Sequence, residues 1–330
     1  MGWLCAVQSQ DFAGAKWAVG SRLRRSGDAR VERAYDEGAI LRTHLLRPTW
    51  HFVVPVDIRW LLDLTAPRIK ASMLYRHRQL ELDARTLRRA SAALARALET
   101  SGEQTRDELR QSLREAGIPS VGVERMAHIL MWAELEGLVC SGARRGKQFT
   151  YAFLDDRAPR ARTRDRDEAL AALASRFFRS RGPATVQDFA KWAGLTVADA
   201  RAGLEDAKGD LRSETVDGRE HWFPTTRAAP LASPSAHLLS IYDEYISGYR
   251  DRSAIVDTRH AKKLVGLGNA LTSVIVLDGR IVGTWRRRLS GRGVSIEARY
   301  FERPSPSVRR AVAVAAGRYA EFIGLPLTLR

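Results

Sequence analysis

Residues 105–154, TRDELRQSLREAGIPSVGVERMAHILMWAELEGLVCSGARRGKQFTYAFL, decide the fold class. In TRDELRQSLREAG and again in VERMAHILMWAELEGLV, apolar residues recur at three- and four-residue spacing. Leu109, Leu113, Ile129, Leu130, Ala133 and Leu138 form one stripe, which predicts two amphipathic helices. The period then drops to two. Phe149, Tyr151 and Phe153 alternate as strand residues do, and Gly142 to Gly146 holds the turn of a hairpin. Two helices followed by a hairpin with a basic tip make a winged helix-turn-helix. Arg144, Arg145 and Lys147 surround that tip and are candidate DNA contacts.

The same pattern occurs on both sides. From residue 165, DEALAALASRFFRSRG, TVQDFAKWAGL and TVADARAGLEDAKGDL predict helices, and RSETVDGREHWFP predicts a hairpin. Thr185 and Thr196 each stand three residues before an Asp, a helix-start signal, and Asp217-Gly218 is a tight hairpin turn. Toward the amino end, DFAGAKWAVGSRL and ARVERAYDEG predict helices, ILRTHLLRPTWHFVVP a hairpin, and VDIRWLLDLTAPRIKASML a following helix. After residue 235 the pattern becomes strand-like in SVIVLDGRIVGTWRRRL and VSIEARYFE, before an amphipathic helix from Ser307 to Phe322. The reading is an α+β chain: tandem winged helix-turn-helix units with a C-terminal β-rich module. Its spans are 1–66, shortened at its front, then 67–156, 165–229 and 235–330. DDRAPRARTRDRDE, in which arginines interleave with acids, reads as a linker, either simply solvated or a DNA clamp.

Composition narrows the partner. In 330 residues, 54 Lys and Arg outweigh 38 Asp and Glu, a formal net charge of +16 that attracts polyanions. Double-stranded nucleic acid is the expected partner rather than a membrane, since no run approaches the ~20 apolar residues of a spanning helix. No secretory leader pattern opens the chain, so a cytoplasmic, nucleoid-associated location is expected. Cys5 and Cys140 lie far apart with no metal-ligand spacing, so two buried thiols are expected and no metal site. Arg286, Arg287 and Arg288, after a second hairpin with Trp285 as an anchor, are further phosphate-contact candidates.

Gln8 and Gln10, in CAVQSQDFAGAKW, raise a question of chemistry. In extended backbone, side chains at i and i+2 project to one side, so both amides can reach one small object. A carboxamide offers an acceptor and two donors, enough to hold a water, but it does not titrate. The pair therefore suits only a reaction whose leaving group is already good. An N7- or N3-alkylated purine nucleotide meets that condition, because its cationic base departs neutral. Asp11 is either the missing base or the cap of the helix from Phe12. Lys16 is close in sequence, but an amine nucleophile would need a depressed pKa.

LCAVQSQDFAGAKWAVGSRL, LRPTWHFVVPVDIRWLL and LLSIYDEYISGYRDRS resemble the AlkZ-like winged-helix DNA glycosylase family, and the likeness runs from about residue 3 to VLDGRIVGTWRR. The resemblance implies tandem winged-helix units around a concave DNA-binding channel and a β-rich C-terminal part. It also implies a Gln-x-Gln catalytic motif of the azinomycin crosslink-resistance branch, matched by Gln8, Ser9 and Gln10. Those residues would place the attacking water for hydrolysis of an alkylated or crosslinked purine's N-glycosidic bond, with no cofactor and no obligate protein partner. RPTWHFV resembles the family's hairpin and carries Thr49 and His51 over as candidate site or DNA contacts, the core alternative for His51 standing beside it. Relatives usually have another helix ahead of the motif, whereas this chain begins a few residues before Gln8. That implies either a start assigned too late or a first unit lacking part of its site wall. The rival function is a non-catalytic winged-helix DNA-binding protein or transcriptional regulator; a third is binding of RNA or another anion.

Overall fold

The computed structural model describes residues 1–119, 122–160, 163–226, 233–257, 259–260 and 272–330. The chain opens with β1 (Ala6–Gln8), α1 (Phe12–Gly20) and α2 (Asp28–Asp36), then β2 (Leu41–Leu45), β3 (Thr49–Val53) and the long α3 (Pro55–Gln79). There follow α4 (Ala84–Ser101), β4 (Gln104–Thr105), α5 (Arg106–Glu115), α6 (Val123–Leu135), β5 (Val139–Ser141), β6 (Thr150–Phe153) and α7 (Leu154–Arg157). Next come α8 (Arg166–Arg181), α9 (Val186–Ala193), α10 (Val197–Ala207), β7 (Leu211–Val216) and β8 (Arg219–Pro224). The last part holds β9 (Ala236–Leu239), α11 (Glu244–Ser247), β10 (Val274–Leu277), β11 (Arg280–Ser290), β12 (Gly293–Tyr300), α12 (Pro306–Ile323) and β13 (Leu327–Leu329). These elements pack into two compact units, Met1–Ala6 with Ala34–Phe223, and Val7–Arg33 with Pro224–Arg330. This division rests on packing, and so differs in kind from the four supersecondary spans read along the sequence.

In the first unit the stripe read from α5 and α6 is core. Leu109, Leu113, Ile129, Leu130 and Ala133 are at most 2 % exposed and pack with Leu87, Leu94, Met126 and Val139, while Leu138 packs at the edge. The start of α5 is a reciprocal cap in which Thr105 accepts from the Glu108 N–H and the Glu108 carboxylate accepts from the Thr105 N–H. β5 and β6 form the expected antiparallel hairpin, with Gly146 (φ +62°) in its turn, and β4 extends it in the order β4-β6-β5.

The segment after residue 165 follows its sequence reading. Thr185 and Thr196 cap α9 and α10 through the N–H groups of Asp188 and Asp199. Asp217 (φ +49°) and Gly218 (φ +71°) turn β7 into β8 as a primed turn requires. Phe177, Phe178, Phe189 and Trp192, all wholly buried, tie α8 to α9. The linker opens as helix rather than coil, because Arg59 binds the Asp155 carboxylate and the Ala158 carbonyl (2.6 and 3.0 Å). Its residues 161–162 lie outside the described residues.

The second unit is built on a five-stranded sheet, β13-β12-β11-β10-β9, antiparallel except for the β12–β13 pair. Asp278 (φ +47°) and Gly279 (φ +82°) make the predicted turn between β10 and β11. Within the β-rich span, residues 258 and 261–271 lie outside the described residues. Trp17, Trp285, Tyr319 and Phe322 form an aromatic core where α1 and α12 meet the sheet. The indole N–H groups of Trp17 and Trp285 donate to the carbonyls of Leu238 and Leu239 (2.6 and 2.8 Å), so each large ring is both buried and satisfied. α1, at the amino end, is thus a structural part of the C-terminal module. Local periodicity holds no signal of that.

Gly194 ends α9 at φ +68°, and a Cβ there would lie 2.2 Å from the Leu46 carbonyl oxygen. Gly194→Ala is expected to lower stability by about 2–4 kcal/mol, read as a drop in urea midpoint, because backbone strain and a backbone clash add.

Candidate functional site

β1 ends on Gln8. Gln8 is half-buried and Ser9 wholly buried, while Gln10, exposed, lies in a bend just past the strand. Asp11 takes the N-cap position of α1 (φ −93°, ψ 103°), but its carboxylate makes no capping hydrogen bond. It lies instead over the first turn, where a Cβ on Gly14 would come within 2.6 Å of Asp11 Oδ2 and 3.1 Å of Ser240 Cβ. Only glycine fits between them. The cap reading of Asp11 therefore holds for its backbone and not for its side chain.

Residues Ser240, Asp243 and Glu244 hold this segment. The backbone N–H of Gln8 donates to Glu244 Oε1 (2.8 Å), and Glu244 is 2 % exposed. Ser240 Oγ donates to the Gly14 carbonyl (2.9 Å). Arg22, beyond the end of α1, makes a fork to both oxygens of Asp243 (2.7 and 2.9 Å), whose side chain is buried. Burial works against the charge of Arg22. Asp243, by charge and hydrogen bond, and then Glu244, nevertheless hold its guanidinium above its ordinary pKa. Asp243 also caps α11 by accepting from the Tyr245 N–H (2.9 Å), so one buried carboxylate orders both segments. Lys16 pairs with Asp28 (2.7 Å) and Glu32 and is 5 % exposed, so its amine is engaged by two carboxylates rather than presented to a substrate.

The remaining candidates are dispersed. Thr49 and His51, on β3, belong to the first unit. His51 is wholly buried with Nδ1–H donating to the Thr49 carbonyl (2.9 Å), so a core role accounts for its geometry. At the β5–β6 hairpin, Lys147 is exposed, and Arg144 stacks over Phe149 at 5.2 Å. Arg145 is turned back to Glu108 Oε1 (2.7 Å) and the Glu103 carbonyl (2.6 Å). On β11, strand alternation separates the three arginines read as one cluster. Arg286 and Arg288 are exposed, while Arg287 donates to the Tyr319 hydroxyl (2.6 Å) on the opposite face. Glu297, opposite Arg286 in register, is engaged by Arg299 (2.7 Å), and neither Arg286 nor Arg288 pairs with a carboxylate among the described residues. The two thiols are buried and unbridged. Burial pushes Cys5 up to about 11 and Cys140 up to about 12, so neither is a nucleophile.

With this geometry in view, residues 1–322 match the family model described as DNA glycosylase AlkZ-like. The chain belongs to the AlkZ-like DNA glycosylase family. Its activity class is therefore that of a hydrolytic DNA glycosylase. An interstrand DNA cross-link repair glycosylase from Streptomyces sahachiroi is 25% identical over 313 residues, covering 86% of this chain and 80% of that protein. The solved structure of the Streptomyces sahachiroi DNA glycosylase AlkZ superposes with a TM-score of 0.80 at 23% identity, covering 100% of this chain and 92% of the other. That likeness establishes a shared fold for this AlkZ-like chain. No helix among the described residues is long and apolar enough to cross a membrane.

Glu244, Asp243 and Arg22 were missed in the sequence. Their available signal was a pair of adjacent acids, DE, a few residues after the apolar strand AHLL, a place where burial would demand partners. Glu244→Ala should cost about 1–3 kcal/mol in urea unfolding, by leaving the Gln8 N–H without its acceptor. Glu244→Gln, which keeps an oxygen in that place, should recover part of the loss.

Proposed function

We propose that this AlkZ-like chain hydrolyses the N-glycosidic bond of N7- or N3-alkylated purines in double-stranded DNA, interstrand crosslinks included, with Gln8 and Gln10 placing the attacking water. The observation that carries the reading is the anchored motif: the backbone of Gln8, two residues before Gln10, is tied to a buried carboxylate. The curated relative's name, which specifies interstrand cross-link repair, supports the substrate class.

The chemistry asks little of titrating groups. An alkylated purine carries its positive charge before the bond breaks, so the bond electrons pass to the base and no acid need protonate it. The sugar becomes oxocarbenium-like, water adds at C1′, and one proton is lost as the abasic site forms. Rate then comes from water placement and from negative potential near the sugar. Gln8 and Gln10 supply the first. The carboxylate of Glu244, held in a low-dielectric place, contributes to the second. Asp11, whose carboxylate is not spent on capping, is the candidate acceptor for the water's proton. Lys147 and Arg144 in the first unit, and Arg286 and Arg288 in the second, are the candidates for phosphate contact.

The test uses a duplex with one defined N7-methylguanine, followed by detection of the free base and of an alkali-labile abasic site. Gln8→Ala and Gln10→Ala should each slow base release by about 100-fold or more while leaving duplex affinity nearly intact. Release that survives both substitutions, or sequence-selective binding with no release at all, would overturn the proposal. Arg286→Ala and Arg288→Ala should each reduce the slope of log K against log salt by about 1, measured by fluorescence anisotropy.

A further inference from the structure

The second unit contains a cavity of about 190 Å³ that the motif does not use, bounded by the loop after α1, by β9 and by α12. Its floor is apolar, from Trp17 and Phe322, and its rim is cationic, from Arg25 and Arg318. Neither arginine pairs with a carboxylate among the described residues, although Glu321 shares the wall. The Ser26 hydroxyl, also in the wall, is shut off from solvent and has no hydrogen-bond partner among the described residues. His237 completes the lining.

Two of these features cost stability. A buried hydroxyl without a partner is unfavourable by about 1–3 kcal/mol. Arg25 holds a left-handed backbone (φ +53°), rare for a residue with a Cβ, and such outliers persist where the surroundings impose them for a purpose. Arg25 and Arg318, both exposed, put two positive charges on one rim, with Glu321 as the carboxylate in the same wall. Burial first, and then the charges of Arg318 and Arg22, hold the His237 imidazole below its ordinary pKa, with Asp243 acting in the other direction. An anion answers the unpartnered hydroxyl and the two positive charges together. Two donor forks from separate elements and one hydroxyl match the several oxygens of a tetrahedral anion better than a planar carboxylate, which a single arginine satisfies; His237 Nε2 is engaged by Ser235 Oγ (3.2 Å). We infer that this cavity is a phosphate-binding site, with Arg25, Arg318 and Ser26 as its ligands and His237 beside them.

The inference is independent of the glycosylase reading, and its phosphate has two possible sources, the backbone of DNA or a free phosphoryl compound. The experiment titrates the full chain with inorganic phosphate against sodium chloride of equal ionic strength. Phosphate at tenfold its Kd should raise Tm by about 2 °C. Arg25→Met and Arg318→Met should each lose most of that increment, whereas Arg201→Met, on exposed α10, should keep it. In parallel, NMR titration of the histidine ring protons, with His237 assigned through His237→Gln, should show phosphate moving the His237 pKa upward. A melting increment that survives Arg318→Met, or a His237 titration that ignores phosphate, overturns the site. Duplex binding against salt then separates the sources. A slope lowered by about 1 in Arg318→Met assigns the phosphate to the DNA backbone, and an unchanged slope assigns it to a free ligand.

Discussion

A carboxylate removed from water accepts one backbone N–H: Glu244 to Gln8. Burying that charge is expensive unless it is hydrogen-bonded and compensated, so the bond and the nearby Arg22–Asp243 fork stand or fall together. Their effect is to hold the start of the motif and the end of α1 against the same short stretch, residues 239–247. An uncharged amide has no pKa to tune, and everything it can contribute depends on where it is held. The rigid anchor is therefore the physical counterpart of a motif with no titrating member.

The same unit shows why α1 cannot be understood as a helix at the front of a repeat. Trp17 reaches the Leu238 carbonyl, Gly14 accepts from Ser240, and Gly20 sits where a Cβ would come within 2.2 Å of the Phe322 ring. These are contacts over more than two hundred residues of chain. They make the amino-terminal segment a structural element of the β-rich module, and any disturbance of α12 or β9 reaches the segment bearing the glutamines.

The basic surplus of the chain is not all available to a polyanion. Arg145 faces Glu108, Arg287 faces Tyr319, and Arg42 is buried between Trp50 (4.2 Å) and Phe149 (4.7 Å). Arg181 is buried against Trp192 and donates to the carbonyls of Leu4 and Ala6 (both 3.0 Å). Such guanidinium groups organise the protein from within. Lys147, Arg286 and Arg288 remain directed at solvent, so net charge overstates the electrostatic footprint and individual placement defines it.

Much of the fold was legible before any coordinates. The stripes of α5 and α6, the caps at Thr185 and Thr196, and the turns at Asp217-Gly218 and Asp278-Gly279 are set by interactions within a few residues, where periodicity and backbone sterics leave their mark. Of the candidate site, the extended backbone up to Gln8 was legible for the same reason, whereas the bend at Gln10 was not. The splitting of Arg287 from its neighbours followed from strand pleat but needed a known strand to apply it to. What only the tertiary structure decided was the partnership of residue 8 with residue 244, the membership of α1 in the C-terminal unit, and the cationic cavity beside it. A hydrogen bond or a cavity wall between residues that far apart in sequence imposes no local pattern, and exists only once the chain has folded back on itself.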